Sequence, residues 1–473
     1  MSQTVAINHE LSNPININHK TSELSTKNPK FTLFTTYYMK KIFLFTLVGM
    51  ASLQLKAQNI DKIITREYTD HLIKTLSADD MQGRATFTPG IDKAATFIES
   101  EFKKIGLQPL AGEKTFRQTF NKYQVANQST SVKIDGQEIA PENIMVTGVT
   151  TESVTLDKSN TAVVKLDPEK PFVAQFRTML NTDKNQIVLV DNKFADLFNR
   201  YKDHFSKPTT VDEKDVKATN GAVQVFVLGK DAVTDFSATV KSKVDKMPLF
   251  NVAGVIPGKS KAKEIVIFSG HYDHLGFLKP VDGDSIANGA DDDASGTTAM
   301  IALAKYYKAQ KNNERTLIFV AFTAEEIGGF GARYFSEKLN PDDVVAMFNI
   351  EMIGKDSKFG KNTAFITGYE RSDFGKILQK NLAGTEFTFH PDPYPDQNLF
   401  YRSDNATLAA LGVPAHTIST DKIDIDKLYH SVKDEYSSLD VENILSTIKA
   451  IAKSATSIVN GTDTPTRIPK LKQ

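Results

Sequence analysis

From residue 251 onward, strand-length apolar segments alternate with longer segments of helical periodicity, and this alternation restricts the folds open to the chain. The strand-length segments are 264–268, 316–322, 344–350, 363–367 and 414–419, and the helical ones are 296–310, 331–338, 372–382 and 440–459. The first three are almost continuously apolar, which is typical of strands buried on both faces. We therefore predict an α/β fold, a three-layer sandwich with helices on both faces of a central mixed, mostly parallel sheet.

Two regions precede this alternating part and differ from it in pattern. Residues 58–122 carry apolar side chains at helical spacing, clearest over 91–105, with Gly106 where a glycine cap ends a helix. Residues 123–248 contain short β-branched runs between turn residues, which predicts a β-rich inserted domain with some helix near 195–205. The predicted parts are therefore an N-terminal helical part at 58–122, the insert at 123–248, the main domain at 249–460 and a tail at 461–473.

The segment that begins at Met39 has the parts of a secretory signal peptide. Two lysines are followed by an apolar run over 42–55 and by Ala57, a small residue before a polar stretch. Because the run is short and interrupted by polar residues, a cleaved signal is favoured over an uncleaved membrane anchor. We predict that residues 1–57 are an upstream extension and signal peptide, with Met39 as the true start. The protein would then be exported to the periplasm or the extracellular space, and no stable membrane span would remain.

The charge balance and the lack of one residue type exclude several classes of protein. The chain has 57 basic and 57 acidic residues, whereas nucleic-acid and anionic-membrane binders normally carry a basic excess. We therefore expect no nucleic-acid partner. The chain has no cysteine, which excludes a disulfide scaffold, a thiolate metal site and a cysteine nucleophile. Any metal in this protein must be held by His, Asp and Glu.

Acidic and histidine residues stand where the predicted strands end. They lie in segments 270–274, 289–296, 324–329 and 349–354, and at 429–431 before the last helix. The carboxyl ends of strands in an open α/β sheet form the active-site crevice, so we expect these segments to converge. Histidine nitrogens and carboxylate oxygens suit Zn²⁺, Mn²⁺ or Fe²⁺, with zinc the commonest in catalytic hydrolysis. Two histidines and three carboxylates suffice for two metals if one carboxylate bridges, and a further carboxylate could deprotonate a water.

These motifs, taken in order, resemble a known family. They are His271-Tyr272-Asp273, Gly-Ala-Asp-Asp-Asp-Ala-Ser-Gly at 289–296, Ala-Glu-Glu-Ile-Gly at 324–328, Asn-Ile-Glu-Met-Ile-Gly at 349–354 and Tyr-His-Ser at 429–431. The set is similar to the co-catalytic zinc aminopeptidases, family 28 of the metallopeptidases, which includes bacterial leucyl aminopeptidases and glutamate carboxypeptidase II. Residues 60–109 also resemble that family's N-terminal lead-in. The resemblance makes 249–460 a zinc peptidase domain, and the insert loosely resembles protease-associated domains.

The resemblance implies a role for seven residues. The ligands of two zinc ions would be His271, Asp292, Glu326, Glu351 and His430. Asp292 would bridge the two metals, with His271 and Glu351 completing the first site and Glu326 and His430 the second. Asp273 would orient the ring of His271. Glu325 would be the general base for a water held between the metals. The implied activity is that of an exported exopeptidase, with an aminopeptidase acting on peptides or proteins favoured.

Two positions depart from the family's usual pattern. Glu351 stands where aspartate is more common, and its extra methylene could shift the geometry or the preference of the metal site. Asn405, in the segment Arg402-Ser403-Asp404-Asn405, stands where many relatives have histidine. This segment is expected to line the substrate side, so the second departure concerns specificity.

Several alternative interpretations stay open. A carboxypeptidase or dipeptidase, a glutaminyl cyclase-like acyl transferase and a non-catalytic binding protein are known on similar folds. The complete ligand set, with both Glu325 and Glu326 present, favours a two-metal enzyme. Related zinc dipeptidases and deacylases carry a dimerisation domain after the glutamate pair, for which the interval to His430 is too short. Residues 253–260 fit a loosened phosphate-loop pattern but lead into a strand instead of a helix, which disfavours an NTPase.

Overall fold

The computed structural model describes residues 59–471, except residues 149, 151, 181, 214–215 and 217–221. The predicted signal peptide and the predicted start at Met39 lie outside the described residues. The helices, in chain order, are α1 (Ile60–Ile63), α2 (Arg66–Leu76), α3 (Pro89–Ile105), α4 (Phe172–Leu180), α5 (Ala195–Phe205), α6 (Gly296–Gln310), α7 (Phe330–Glu337), α8 (Phe374–Asn381), α9 (Asn405–Ala410), α10 (Val441–Ser454) and α11 (Thr456–Val459). Within the described part, no helix has the length and apolar character needed to cross a membrane.

The strands supply one large sheet and two smaller ones. In chain order they are β1 (Arg117–Ile134), β2 (Gln137–Glu138), β3 (Ile144–Thr147), β4 (Val154–Leu156), β5 (Ala162–Lys165), β6 (Gln186–Val190), β7 (Thr209–Val211), β8 (Gln224–Leu228), β9 (Phe236–Ile256), β10 (Lys261–His271), β11 (Gly276–Val281), β12 (Asp284–Ala287), β13 (Arg315–Phe322), β14 (Val344–Ile350), β15 (Thr363–Ile366), β16 (Thr388–Pro391) and β17 (Ala415–Ser419). β11 and β12 form a separate two-stranded hairpin.

The large sheet has the strand order β16-β15-β17-β14-β10-β13-β9-β1-β2. Its middle strands β17, β14, β10 and β13 are mutually parallel, whereas β9 and β15 join them in antiparallel register. The predicted α/β fold with a central mixed sheet is therefore confirmed. Since the four middle strands are parallel, their carboxyl ends meet at one edge of the sheet.

Helices cover both faces of this sheet, which explains the almost continuous apolar runs of its middle strands. Successive side chains of β13 point to opposite sides, with Phe319 in one core and Val320 in the other. The core on the first side includes Met300 of α6 and Ile448 of α10. The core on the second side includes Phe335 of α7. The three layers predicted from the sequence are present.

Most predicted helices have nearly the bounds expected from their periodicity. α6 spans the predicted residues 296–310. α3 ends at Gly106, whose positive φ of 81° gives the left-handed cap expected there. The predicted helix at 440–459 is divided, because Ala455 has a ψ of −9° and interrupts the helix between α10 and α11.

The region predicted as an insert is joined to the large sheet by two long strands. β1 and β9 pair in antiparallel register from Arg117 with Val252 to Ile134 with Phe236. β9 then continues alongside β13 in the large sheet. The predicted boundaries at 122/123 and 248/249 fall inside these strands. A ladder of paired strands, with one shift of register between Asn127 and Ser129, therefore connects the insert to the main domain.

A second sheet, with the order β3-β8-β6-β5, lies on this two-stranded ribbon. Ile187 of β6 packs in a core with Val240 of β9, whereas the next residue, Val188, packs on the other side with Phe172 of α4 and Phe198 of α5. The helix predicted near 195–205 is present as α5. α4 was not predicted, so the region between β1 and β9 is a layered α/β unit as well as being rich in strands.

Candidate metal centre

The predicted functional residues converge at the edge where the parallel strands end. His271 is the last residue of β10, Glu325 and Glu326 follow β13, Glu351 follows β14, Asp292 precedes α6, and His430 lies between β17 and α10. Ligand atoms of His271, Asp292 and Glu351 lie within 4.8 Å of one another. The same holds for His274, Asp292 and Glu326. The structure thus brings together residues that are far apart in the sequence.

Asp292 belongs to both of these groups, because its two carboxylate oxygens face different histidines. Oδ1 lies 3.1 Å from Nε2 of His271. Oδ2 lies 3.3 Å from Nε2 of His430 and 3.8 Å from Nδ1 of His274. A carboxylate that presents one oxygen to each of two donor groups has the arrangement that a bridging metal ligand requires.

Glu326 is held between two histidines. Its Oε2 lies 3.1 Å from Nε2 of His430, the contact expected of a predicted ligand pair. Its Oε1 lies 2.7 Å from Nδ1 of His274. No role for His274 is predicted from the sequence, although this residue stands in the same segment as His271. Its proximity to Glu326 depends on how the ends of β10 and β13 are placed side by side.

Several buried atoms at this centre have no hydrogen-bond partner within the described residues. They include Nε2 of His274 and Oε2 of Glu351. Buried polar atoms are rarely left unpaired in native proteins. Imidazole nitrogens and carboxylate oxygens are ligands that zinc accepts, so the residues present fit the predicted metal. Glu351 remains in the first donor group despite its extra methylene.

The close approach of histidines and carboxylates shifts their protonation. Burial alone would raise the pKa of Asp292, but hydrogen bonds from His271 and His430 outweigh it and hold this pKa well below its usual range. Hydrogen bonds to Asp292 and Glu326 raise the pKa of His430 to about 10. Zinc binds the neutral imidazole, so metal binding must displace a proton from His430. Lowering the pH therefore opposes metal binding.

Glu325 lies beside the donor groups and lines the same cavity as Asp292, Glu351 and His430. This cavity encloses about 650 Å³, including the space open to solvent. Burial raises the pKa of Glu325 well above its usual range; nearby His271 opposes this shift, and Glu351 adds to it. A carboxylate with a raised pKa at the wall of a cavity can both accept and return a proton near neutral pH.

Asp273 is placed differently from the prediction. Its carboxylate lies 3.9 Å from Nδ1 of His271, and the closer contact of that nitrogen, at 3.1 Å, is to the main-chain carbonyl of Asp273. The carboxylate instead accepts hydrogen bonds from the backbone amides of Glu325 and Glu326, at 3.1 and 3.3 Å. Asp273 therefore holds the glutamate pair with its side chain and the His271 ring with its backbone.

The aspartates on either side of Asp292 fix the surrounding loops. Asp293 accepts hydrogen bonds from the amide of His271 at 3.1 Å and from the amide of Met352, also at 3.1 Å. Asp291 accepts one from the amide of Gly354 at 2.7 Å. The triplet thus connects the end of β10 to the loop that follows Glu351. The sequence showed three consecutive acids, but periodicity could not assign these separate partners.

The glycine after the triplet is required by close packing. A Cβ atom on Gly296 would lie 2.0 Å from the carbonyl oxygen of Ile350, the residue before Glu351. Any side chain at this position would push the start of α6 away from β14. Gly296 therefore keeps Asp292 and Glu351 close enough to share a site.

Two buried residues outside the predicted set form hydrogen bonds with the backbone of the segments that carry the candidate ligands His271 and Asp292. Asp434 accepts hydrogen bonds from the amides of Asp291 and Asp292, at 3.0 Å each. Arg84 is fully buried and donates only to main-chain carbonyls among the described residues, namely those of Leu76, Tyr272, Asn288 and Gly289. Arg84 thereby joins the segment 271–274 to the start of the aspartate loop. The Gly-Arg pair was visible in the sequence, but three of the four partners of Arg84, namely Tyr272, Asn288 and Gly289, lie about two hundred positions away.

Comparisons with known proteins agree with this geometry. Residues 251–455 match the family model described as Peptidase family M28. Leucine aminopeptidase 1 of Ajellomyces capsulatus strain H88 is 26% identical over 280 residues, with 55% of this chain and 68% of that protein covered. A probable zinc metalloprotease of Leptosphaeria maculans is 33% identical over 106 residues, or 22% of this chain and 24% of that protein.

A solved structure adds a comparison of folds. The structure of BSAP, a zinc aminopeptidase from Bacillus subtilis, matches with a TM-score of 0.50 at 17% identity, covering 84% of this chain and 95% of that chain. At this identity the match concerns the fold alone. The resemblance to family 28 of the metallopeptidases is confirmed by the family match over 251–455.

Replacing Arg84 by methionine should weaken both the fold and zinc binding. The change removes donors from four main-chain carbonyls and should lower the free energy of unfolding by about 3–5 kcal/mol. Because two of those carbonyls begin the loop of Asp292, the affinity for zinc should also fall. Arg84→Lys should retain part of both properties, since it keeps the charge but has fewer donors. Urea unfolding and competition with a zinc chelator measure the two effects.

Arg315 provides the matched control for this experiment. It is also fully buried, but it lies at the start of β13, at the opposite end of the strand from the metal centre, and donates to the carbonyls of Ile458 and Asp463. Arg315→Met should cost comparable stability and leave zinc affinity unchanged. An equal loss of zinc affinity in both variants would contradict a specific positioning role for Arg84.

Proposed function

Because residues 251–455 form a domain of peptidase family M28, we propose that this protein is a zinc-dependent exopeptidase, specifically an aminopeptidase that hydrolyses N-terminal peptide bonds. The observation that carries the proposal is the placement of Asp292, whose two oxygens face two donor groups beside the buried Glu325. The relative named leucine aminopeptidase 1 supports the choice of aminopeptidase among the exopeptidases.

We assign two zinc ions to this centre, and in the second donor group we take His430, whose Nε2 lies 3.1 Å from Oε2 of Glu326, as the ligand in place of His274. His271, Asp292 and Glu351 would hold one, and Asp292, Glu326 and His430 would hold the other. His274, which contacts Glu326 at 2.7 Å, would fix the orientation of that carboxylate. When bound, zinc supplies a Lewis acid that polarises a peptide carbonyl and lowers the pKa of water.

Glu325 is the residue we assign to proton transfer. Its carboxylate would accept a proton from the attacking water and return it to the departing amine, which its raised pKa permits near neutral pH. The Asp273 carboxylate accepts hydrogen bonds from the amides of Glu325 and Glu326. It thereby fixes the position of the assigned base, Glu325, relative to the assigned ligand, Glu326. Positioning of this kind lowers the entropic cost of the reaction.

The assay that tests this function uses zinc-loaded protein with aminoacyl-p-nitroanilides and short peptides. We expect release of N-terminal residues, loss of activity on chelation and recovery with zinc, with about two zinc ions per chain by metal analysis. One zinc per active chain would remove the two-metal assignment. Release of C-terminal residues alone would indicate a carboxypeptidase, and cyclisation of N-terminal glutamine would indicate an acyl transferase. Binding of peptides without turnover would indicate a binding protein.

Replacing Glu325 by glutamine should separate catalysis from metal binding. The amide cannot accept the proton, so kcat should fall by about 10²- to 10⁴-fold. Zinc content should stay that of the wild type, because Glu325 is not among the assigned ligands. Glu337→Gln, on an exposed position of α7, is the control and should change neither quantity. If Glu325→Gln loses zinc instead, Glu325 is a ligand and the base must be sought elsewhere.

We also propose that the protein is exported to the periplasm or the extracellular space. The support is the sequence of residues 39–58, with two lysines, an apolar run and Ala57. We expect the mature protein to begin at Gln58. N-terminal sequencing of the protein purified from its native cells tests this, and a mature chain that retains residues 42–55 would contradict cleavage.

A further inference from the structure

The cavity beside the metal centre has a second wall that the proposed chemistry does not use. Apolar side chains form much of it, namely Met352, Phe365, Leu399 and Ile423. Met352 follows β14, Phe365 lies in β15, Leu399 lies between β16 and α9, and Ile423 follows β17. Glu325 and the proposed metal ligands form the first wall. The side chain of the substrate residue next to the cleaved bond would therefore lie against the second, apolar wall.

One acidic residue stands in this second wall. Asp421 lines the cavity and is only 6% exposed. Its backbone follows β17 directly and is fixed there, because its amide donates to Oγ of Ser419 and the amide of Thr420 donates to the carbonyl of Met352. Within the described residues, Oδ1 of Asp421 has no hydrogen-bond partner. A buried carboxylate oxygen without a partner at a cavity wall is unusual and points to a ligand.

The charges around Asp421 are not balanced. Carboxylate oxygens of Asp291, Asp421 and Asp426 lie within 4.8 Å of one another. Lys355 contacts Asp426 and lies 3.2 Å from Oδ2 of Asp291, whereas no ion pair to Asp421 occurs in the described part of the chain. Burial, together with Asp291 and Asp426, raises the pKa of Asp421 to about 8. The ammonium group of Lys355 is thus the one positive charge paired within this cluster of three aspartates in the described part of the chain. A further cation near Asp421 would therefore be stabilised.

Resting on the proposed aminopeptidase function, we propose that this cavity receives the side chain of the substrate's N-terminal residue and that Asp421 selects a cationic one, lysine or arginine. The aliphatic part of such a side chain would pack on the apolar wall while its charged end reaches the carboxylate. A charge buried in this way needs a partner of opposite sign, and Oδ1 of Asp421, which has no partner among the described residues, can supply it at the cavity wall once this carboxyl group ionises. Asp421 would then determine specificity without touching the reacting atoms.

Arg402 lines the same cavity and carries the opposite charge. It is exposed, whereas Asp421 is buried, and interactions with exposed charges are screened by solvent and salt. Burial strengthens the interaction of Asp421 with a guest relative to that of Arg402. The observations therefore favour a cationic side chain over an acidic one, and Arg402 provides the contrasting variant for the test.

The test compares p-nitroanilides of lysine, arginine, leucine, methionine and glutamate with zinc-loaded wild type and Asp421→Asn. We expect kcat/KM for the lysine and arginine substrates to exceed that for leucine by about tenfold or more. In Asp421→Asn this advantage should fall by about 10- to 100-fold, the range for a hydrogen bond to a charged group. Turnover of the leucine substrate should change by less than about threefold, since Asp421 does not contact the reacting atoms.

Asp424→Asn is the matched control, because Asp424 lies in the same loop but is exposed and paired with Lys358 at 2.9 Å. It should leave the ratio of lysine to leucine turnover unchanged. A wild-type preference for leucine or methionine overturns the inference, even if Asp421→Asn fails to fold. A wild-type preference for the glutamate substrate that is lost in Arg402→Gln also overturns the inference. Hydrolysis of none of the substrates would instead count against the proposed function itself.

Discussion

The structure depends above all on the need to accommodate several buried carboxylates around one point. Asp273, Asp291, Asp292 and Asp293 are each at most 2% exposed, and unpaired charges in such places are very costly. Main-chain amides from neighbouring loops stabilise Asp273, Asp291 and Asp293. Among the described contacts of the Asp292 carboxylate there is no main-chain amide, only histidine nitrogens. The fold thus supplies main-chain amides to the other three acids, whereas histidine nitrogens surround the carboxylate of Asp292.

The parallel middle strands make this arrangement possible. Because β10, β13 and β14 run in the same direction, each delivers its following residues to one edge, and the amides of those loops point toward the aspartates. Arg84 then completes the arrangement from outside the family-matched segment, by holding carbonyls of both ligand loops. The N-terminal part of the chain is therefore as necessary to the centre as the strands that carry the ligands.

The sequence predicted the fold, because the fold follows from local patterns, and the structure brings the candidate ligands together at one edge of the sheet. Apolar runs identified β10, β13 and β14, and acids directly after them indicated the site. Contacts between distant segments had no such signal. The bonds of Arg84 and Asp434, and the contact of His274 with Glu326, arise only when strand ends are placed side by side. The hydrogen bonds that the Asp273 carboxylate accepts had no signal either, since their donors follow another strand.

The ribbon of β1 and β9 has a consequence for how such a chain could arise. Phe120 and Leu249 are cross-strand partners at its base, so their backbones already lie at the distance that a tight hairpin turn spans. Everything between them could be gained or lost in a single insertion or deletion while β9 keeps its place beside β13. The chain between them therefore leaves the large sheet and returns to it at two neighbouring positions, so a change in its length need not move β9 away from β13.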